Sequence, residues 1–90
     1  MLREGEHLIG READAVVMLD SPSVSRRHAR IRVTAEQTTF EDLGSKNGSF
    51  IRGRRLEESI PLVDGDVVTT GVVELTFRMI RSAVPTESIF

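Results

Sequence analysis

Short alternating segments between turn residues are the feature that most restricts the fold of this chain. In His28–Val33, the apolar Ala29, Ile31 and Val33 alternate with two arginines. A period of two is typical of a half-buried strand that has one face in the core and the other in solvent. No segment shows sustained helical periodicity, so the sequence predicts a fold built from strands.

Further strands are predicted between the remaining turn residues: His7–Ile9, Ala15–Met18, Thr38–Glu41, Phe50–Arg52, Ile60–Leu62, Val67–Thr70 and Glu74–Ile80. The dipeptides Asn47-Gly48 and Arg52-Gly53 are typical of tight turns, because glycine adopts positive φ without steric cost. Many short strands with close turns predict an all-β fold, an antiparallel β-sandwich.

The domain boundaries follow from where the alternation stops. Residues 1–81 are predicted to form one domain, and residues 82–90, which include Pro85, a C-terminal tail. The chain starts only a few residues before Gly10-Arg11, which leaves little room for a full first strand. We therefore expect the first strand to be missing or truncated, and the chain to be a piece of a longer protein.

Composition excludes several classes of function. The chain has no cysteine, a net charge of −2 and only two histidines, His7 and His28. Disulfides and thiolate metal sites are therefore excluded, and we expect no metal and no cofactor. The net charge argues against nucleic-acid binding, and no apolar run approaches the roughly 18 residues needed to span a membrane. We expect a cytoplasmic protein that does not associate with membranes.

Three loop motifs carry the candidate chemistry: Gly10-Arg11, Ser25-Arg26-Arg27-His28 and Lys46-Asn47-Gly48. Each lies where a predicted strand ends or begins, and such loops can gather at one end of a sandwich. Together they offer guanidinium groups, a hydroxyl, an ammonium group and an amide, and they contain no carboxylate. These groups suit a phosphate, which carries about −1.5 to −2 charge and three strong acceptor oxygens.

The ordered set of these motifs, with Asp64-Gly65-Asp66 before the penultimate strand, resembles the forkhead-associated (FHA) domain family. The resemblance covers about residues 7 to 80. It implies that Arg11 contacts the phosphate and that Ser25 does so through its hydroxyl and its amide. Arg26 follows at a position that often reaches the phosphate or the peptide. Lys46 stands where many relatives carry threonine, and because lysine adds positive charge there, Lys46 is a further predicted phosphate contact.

The same resemblance implies that Asn47 hydrogen-bonds the main chain of a phosphothreonine peptide. It also implies selection of phosphothreonine over phosphoserine by a pocket for the extra methyl group. A structural role is predicted for Gly10 and Gly48, which tolerate turn geometry, and for His28, which heads an alternating strand and holds the binding loop. Ser25 and His28 lack an orienting third group for nucleophilic catalysis, so the sequence predicts no enzyme.

The sequence thus predicts a phosphothreonine-peptide binding module that acts as a signalling adaptor downstream of Ser/Thr kinases. The expected partner is a phosphorylated kinase substrate or the kinase itself, and we expect a monomer or a weak dimer. The alternative is a phosphate-independent protein-interaction or self-association domain that uses a sheet face.

Overall fold

Two β-sheets form residues 3–78, the part of the chain that the computed structural model describes. The first sheet has five strands in the spatial order β2-β1-β3-β4-β7, and the second has four in the order β6-β5-β8-β9. In chain order the strands are β1 (Gly5–Gly10), β2 (Val17–Met18), β3 (Ala29–Val33), β4 (Thr38–Asp42), β5 (Ser49–Ile51), β6 (Arg54–Arg55), β7 (Ile60–Leu62), β8 (Val67–Thr70) and β9 (Val73–Thr76).

The core lies between the sheets and takes side chains from both. Its buried members are Ile9, Ala29, Ile31, Phe40, Ile51, Leu56, Leu62 and Val68. Phe40 is 1% exposed and Ile9 is fully buried. Burying a side chain of this size contributes about 1.5–3 kcal/mol, so the alternation seen in the sequence is the main source of sheet packing. The predicted all-β sandwich is confirmed.

Strand pairing is antiparallel with one exception. β1 and β2 run parallel, with Ile9 opposite Val17 and Gly10 opposite Met18. The antiparallel β5–β6 hairpin places Ile51 opposite Arg54, so Arg52 and Gly53 form a two-residue turn. Both turn residues have positive φ, 50° and 77°, which matches the twist of a hairpin.

Several strand boundaries differ from the predicted ones. β2 is shorter than Ala15–Met18, because the Ala15 N–H turns back to the Glu12 carbonyl at 3.1 Å. β9 ends at Thr76, since Phe77 hydrogen-bonds into the turn at Gly65 and Asp66. β6 was not predicted, because two adjacent arginines show no alternation. Residues 79–81 of the predicted domain and the predicted tail, 82–90, lie outside the described residues.

β1, the first strand of the described residues, is longer than predicted. This strand has six residues, twice the predicted His7–Ile9, and it pairs with β3 over five positions. β2 lies on its other side, so β1 is not an exposed edge. Gly5, with φ of 125°, begins the strand in a backbone conformation that other residues rarely adopt.

The pairing register brings the ends of five strands together. Ile9 near the end of β1 lies opposite Ala29 at the start of β3, and Ala29 lies opposite Asp42 at the end of β4. In the other sheet, Ser49 at the start of β5 lies opposite Thr70 at the end of β8. The loops that follow or precede these residues therefore meet at one end of the sandwich. Within residues 3–78 there is no helix long and apolar enough to cross a membrane.

Candidate functional site

Arg11 is fixed at the end of β1 by its main chain and its side chain. Its N–H donates to the carbonyls of Ser25 and Arg26, each at 3.1 Å, and its Nε–H donates to the Val24 carbonyl at 2.9 Å. The residue is exposed, and its two terminal nitrogens have no partner among residues 3–78. Arg11 thus presents the end of a guanidinium fork whose orientation is already set.

Gly10 allows the second loop to approach β1 this closely. A Cβ built on Gly10 would lie 1.9 Å from the carbonyl oxygen of Arg26, a distance that no real contact permits. Gly10 does not have positive φ, so the space and not the backbone angle requires glycine here. The Arg26 carbonyl held in this position also accepts the N–H of Glu12, at 3.4 Å.

His28 links the second loop to the third. The Ser25 N–H donates to His28 Nδ1 at 2.9 Å, so Nδ1 is the acceptor and carries no proton. Nε2 therefore carries the proton of the neutral ring and donates to the Gly48 carbonyl at 2.8 Å. His28 is fully buried, and its two nitrogens are satisfied by residues 23 positions apart in the chain.

This arrangement corrects one part of the predicted Ser25 contact. The resemblance implies that both the hydroxyl and the amide of Ser25 meet the phosphate, but the amide hydrogen is directed at His28. The hydroxyl oxygen accepts the Lys46 N–H at 3.1 Å. Because an oxygen acceptor site is used in this way, the hydroxyl hydrogen is left to donate outward. Only the hydroxyl of Ser25 is thus free for a ligand.

Asn47 joins the second and third loops on a different flank. Its Nδ2 donates to the Ser23 carbonyl at 2.8 Å, while its Oδ1 has no partner in the described part of the chain. Ser23 is in turn held by the β8–β9 turn, since its Oγ accepts the Val72 N–H at 3.1 Å. Asn47 is exposed, so its acceptor oxygen faces solvent from a fixed side chain.

The Asp42 side chain fixes the turn that leads into the third loop, Lys46-Asn47-Gly48. Its Oδ2 accepts the N–H groups of Gly44 and Ser45, and its Oδ1 accepts the hydroxyls of Ser45 and Ser49 at 2.6 and 2.7 Å. Burial raises the pKa of Asp42, but the hydrogen bonds from Ser45 and Ser49 outweigh it and hold the pKa below its ordinary value. The Asp42 carboxylate therefore stays charged and fixes the turn that presents Lys46 and Asn47.

The cations of the chain divide into paired and unpaired groups. Arg30 and Arg32 contact Glu6 on the outer face of the first sheet, and Arg52 contacts Asp66 at 2.8 Å. By contrast, Arg11, Arg26 and Lys46 have no carboxylate within 4.0 Å in residues 3–78. Three unpaired positive charges thus lie on the loops at one end of the sandwich.

Comparison with known proteins identifies this arrangement. The FHA domain model matches residues 7–71, which contain all three loops and every strand except β9 and part of β1. The chain belongs to the FHA domain family. FHA domains are interaction modules, and the match covers each of the residues assigned to the site from sequence.

Relatives of this FHA domain include the FHA domain-containing protein FhaA of Mycobacterium tuberculosis. The two are 41% identical over 78 residues, which are 87% of this chain and 15% of FhaA. A solved chain from an analysis of phosphothreonine-dependent FHA domain interactions is 39% identical, with a TM-score of 0.83. That superposition covers 89% of this chain and 82% of the other.

A second solved structure is that of Mycobacterium tuberculosis EmbR in complex with a low-affinity phosphopeptide. It is 33% identical, with a TM-score of 0.83, and the match covers 93% of this chain and 22% of EmbR. The chain thus spans a small part of FhaA and of EmbR.

Two functional supports of this FHA domain escaped the sequence analysis. Asp42 and Ser45 form an Asp-x-x-Ser turn, in which side-chain oxygens accept main-chain N–H groups, and this pattern is visible before Asn47-Gly48. The carbonyls of Ser23 and Val24, which anchor Asn47 and Arg11, carry no such signal because any residue supplies a carbonyl.

A groove of about 660 Å³ lies apart from the three loops, between β6 and β7 at the open side of the sandwich. Its lining includes Arg54, Arg55, Glu57 and Glu58. Carboxylates beside the arginines make it unsuited to a dianion. None of the residues predicted to contact phosphate lines this groove, and no metal-binding cluster of His, Cys, Asp or Glu occurs in residues 3–78.

Proposed function

We propose that this FHA domain binds phosphothreonine-containing peptides and acts as a signalling adaptor downstream of Ser/Thr kinases. The observation that carries the proposal is the joining of three loops into one surface. Ser25 Oγ accepts the Lys46 N–H, Arg11 Nε donates to the loop that contains Ser25, and His28 connects that loop to Gly48. The outward groups around Arg11 and Ser25 are donors and cations, and Asn47 adds one outward acceptor, its Oδ1.

In the proposed complex the phosphate lies between Arg11 and Ser25. The terminal nitrogens of Arg11 donate to two phosphate oxygens, and the Ser25 hydroxyl donates to the third. The main-chain N–H of Arg26, which has no partner among residues 3–78, is a further donor. The Arg26 guanidinium and the Lys46 ammonium group add charge. Each hydrogen bond to a charged group contributes about 1.5–3 kcal/mol. Two or three of them are therefore enough for the domain to bind a phosphorylated peptide much more tightly than the unphosphorylated one.

Asn47 holds the main chain of the peptide beside the phosphothreonine. Its Nδ2 is used within the protein, so the contact is made by Oδ1, which accepts a peptide N–H. An extended peptide exposes its N–H groups along both edges, and a fixed acceptor selects that conformation. Gly10, His28 and Gly48 support the loops and do not contact the phosphate.

The relatives support this reading. One solved neighbour comes from phosphothreonine-dependent FHA interactions and another, EmbR, was solved with a phosphopeptide. FHA domains are also among the modules that recognise phosphorylated motifs through arginines. The partner of this chain is accordingly a phosphothreonine-containing protein, either a kinase substrate or the kinase itself.

The test is a screen of an oriented phosphothreonine peptide library against the domain. The selected peptide is then compared with its phosphoserine and unphosphorylated forms. We expect phosphothreonine to bind more tightly than phosphoserine, and the unphosphorylated peptide not to bind. Equal binding of all three forms would reject the proposal.

Sizing and crosslinking of the unphosphorylated domain test the alternative of phosphate-independent self-association. A stable oligomer that is unchanged by Arg11→Ala would favour that alternative, whereas a monomer or weak dimer is expected here.

A further inference from the structure

Arg55 lies against the third loop although it belongs to a different part of the chain. A Cβ built on Gly48 would be 2.9 Å from Arg55 Nε, 3.1 Å from Cζ and 3.3 Å from one terminal nitrogen. The guanidinium therefore rests on the main chain of Gly48, which directly follows Asn47. Arg55 is the last residue of β6, so a strand at the edge of the second sheet delivers a cation to the phosphate-binding end.

The position of Arg55 follows from the strand register. Arg55 lies opposite Phe50, and Arg54 lies opposite the buried Ile51. Residues opposite each other in an antiparallel pair share a face, so Arg54 and Arg55 lie on different faces of β6. Gly48 lies just ahead of β5, two residues before Phe50, and the absence of a side chain there makes room for the guanidinium.

The donors of Arg55 are not used within the described part of the chain. Its guanidinium has no hydrogen-bond acceptor and no carboxylate within 4.0 Å there, and the residue is exposed. Glu57 and Glu58 share the neighbouring groove with Arg55, but neither forms an ion pair with it. A planar cation is thus held against the main chain beside Asn47 with its N–H groups available.

We propose that Arg55 reads an acidic side chain of the bound peptide close to the phosphothreonine. The inference rests on the proposed function, because Asn47 there holds the peptide main chain and Gly48 lies next to it. A Glu or Asp side chain of the peptide that extends over Gly48 meets the guanidinium in a bidentate geometry. Arg55 is then a specificity-determining residue that adds to the phosphate contacts and does not replace them.

The size of the effect is limited by exposure. Exposed ion pairs are weak and are screened by salt, so the preference for Glu over Gln at the matching position is about two- to fivefold in affinity. The preference shrinks as the ionic strength rises from about 0.05 to 0.5 M, since the Debye length falls several-fold over this range.

The experiment uses phosphothreonine peptides in an alanine background that carry one Glu or one Gln, moved through the three positions on each side of the phosphothreonine. Affinities are measured for the wild type, Arg55→Gln and Arg54→Gln. Arg54→Gln is the matched control, because it removes the same charge from the same strand on the other face. Circular dichroism melting shows that each variant is folded.

We expect the wild type and Arg54→Gln to prefer Glu at one or two adjacent positions, and Arg55→Gln to bind the Glu and Gln peptides equally. The affinity of Arg55→Gln for the Gln peptides should remain within about twofold of the wild type. Equal binding of Glu and Gln at every position by the wild type, or a preference that survives Arg55→Gln, would overturn the role of Arg55. Either result with phosphate-dependent binding intact leaves the proposed function standing, whereas loss of phosphate dependence in the wild type rejects both.

Discussion

The hydroxyl oxygen of Ser25 accepts the main-chain N–H of Lys46 at 3.1 Å, across 21 positions of the chain. The amide of the same serine donates to the ring of His28. Ser25 is therefore held by Lys46 through its hydroxyl oxygen and by His28 through its amide. The hydroxyl hydrogen remains available to donate to a ligand. The position of the hydroxyl oxygen is set before any peptide binds, which reduces the entropy lost on binding.

Replacing Ser25 tests this assignment. Ser25→Ala removes the proposed donor to the phosphate, and we expect the affinity for a phosphothreonine peptide to fall about tenfold or more, since a hydrogen bond to a charged group is lost. The exposed Ser59→Ala is the control and should leave the affinity unchanged. Isothermal titration of both variants with one peptide makes the comparison. An unchanged affinity in Ser25→Ala would remove Ser25 from the site.

Gly48 is constrained in two separate ways. It has φ of 84°, and a Cβ there would also meet Arg55. Gly44 has a similar φ of 75° but nothing within 4 Å of a built Cβ. We expect Gly44→Ala to lower the free energy of unfolding by about 1 kcal/mol, and Gly48→Ala to lower it by more.

The Arg55→Ala background separates the two causes at Gly48. In that background, urea unfolding should show that Gly48→Ala lowers the free energy of unfolding by about as much as Gly44→Ala does. The contact with the Arg55 side chain has been removed there, and only the backbone strain remains. A larger loss for Gly48→Ala than for Gly44→Ala that persists in the Arg55→Ala background would contradict the contact with Arg55 as its cause.

The contribution of His28 to stability can be measured against that of the second histidine, His7. His28→Ala removes both ring hydrogen bonds and leaves a cavity, so we expect the free energy of unfolding to fall by about 3 kcal/mol. The half-buried His7 has one ring hydrogen bond, to the Arg3 carbonyl, so His7→Ala should lower the free energy of unfolding by no more than about 1 kcal/mol. Denaturant unfolding compares the two variants. A small loss in His28→Ala would mean that the loops hold together without the ring.

Asp42 should make the free energy of unfolding depend on pH in the acid range. Its pKa is lowered below the ordinary value of 3.8, so the stability it contributes is complete above about pH 4 and is lost as pH falls through the lowered folded pKa. At pH 7 we expect the free energy of unfolding of Asp42→Asn to be lower by about 2 kcal/mol, because the amide is uncharged and has one acceptor atom where the carboxylate has two.

The difference between the wild type and Asp42→Asn should narrow as pH falls below 4. The pKa of Glu6 is also lowered, mainly by its hydrogen bond to Arg32, but this contribution is present in both proteins and cancels in the difference. The exposed Asp20→Asn is the control for the loss of one charge. A difference that stays constant down to pH 2 would contradict the lowered pKa of Asp42.

The strands and the loop motifs could be predicted from the sequence because both depend on local patterns. Ile60–Leu62 and Val67–Thr70 were predicted with their exact bounds, since each is a β-branched or apolar run next to turn residues. The turn at Arg52-Gly53 was predicted, although the two-residue strand β6 after it was not.

The contacts between loops could not be predicted, because they depend on the register of strands far apart in the chain. The Ser25 amide was assigned to the phosphate, whereas its partner is His28, which only the packed loops reveal. Likewise, the sequence gives no sign that Arg55 approaches Gly48 or that the Arg26 carbonyl lies over Gly10. The parallel pairing of β1 and β2 also depends on the path of the intervening loop.

The central claim is that the joined loops bind phosphate on threonine. Its most direct test is isothermal titration of one threonine peptide, phosphorylated and unphosphorylated, into the wild type and Arg11→Ala. We predict that the wild type binds only the phosphorylated form, and that Arg11→Ala loses at least tenfold in affinity for it while remaining folded. Equal binding of the two forms by the wild type, or binding of the phosphorylated form that is untouched by Arg11→Ala, would contradict the claim.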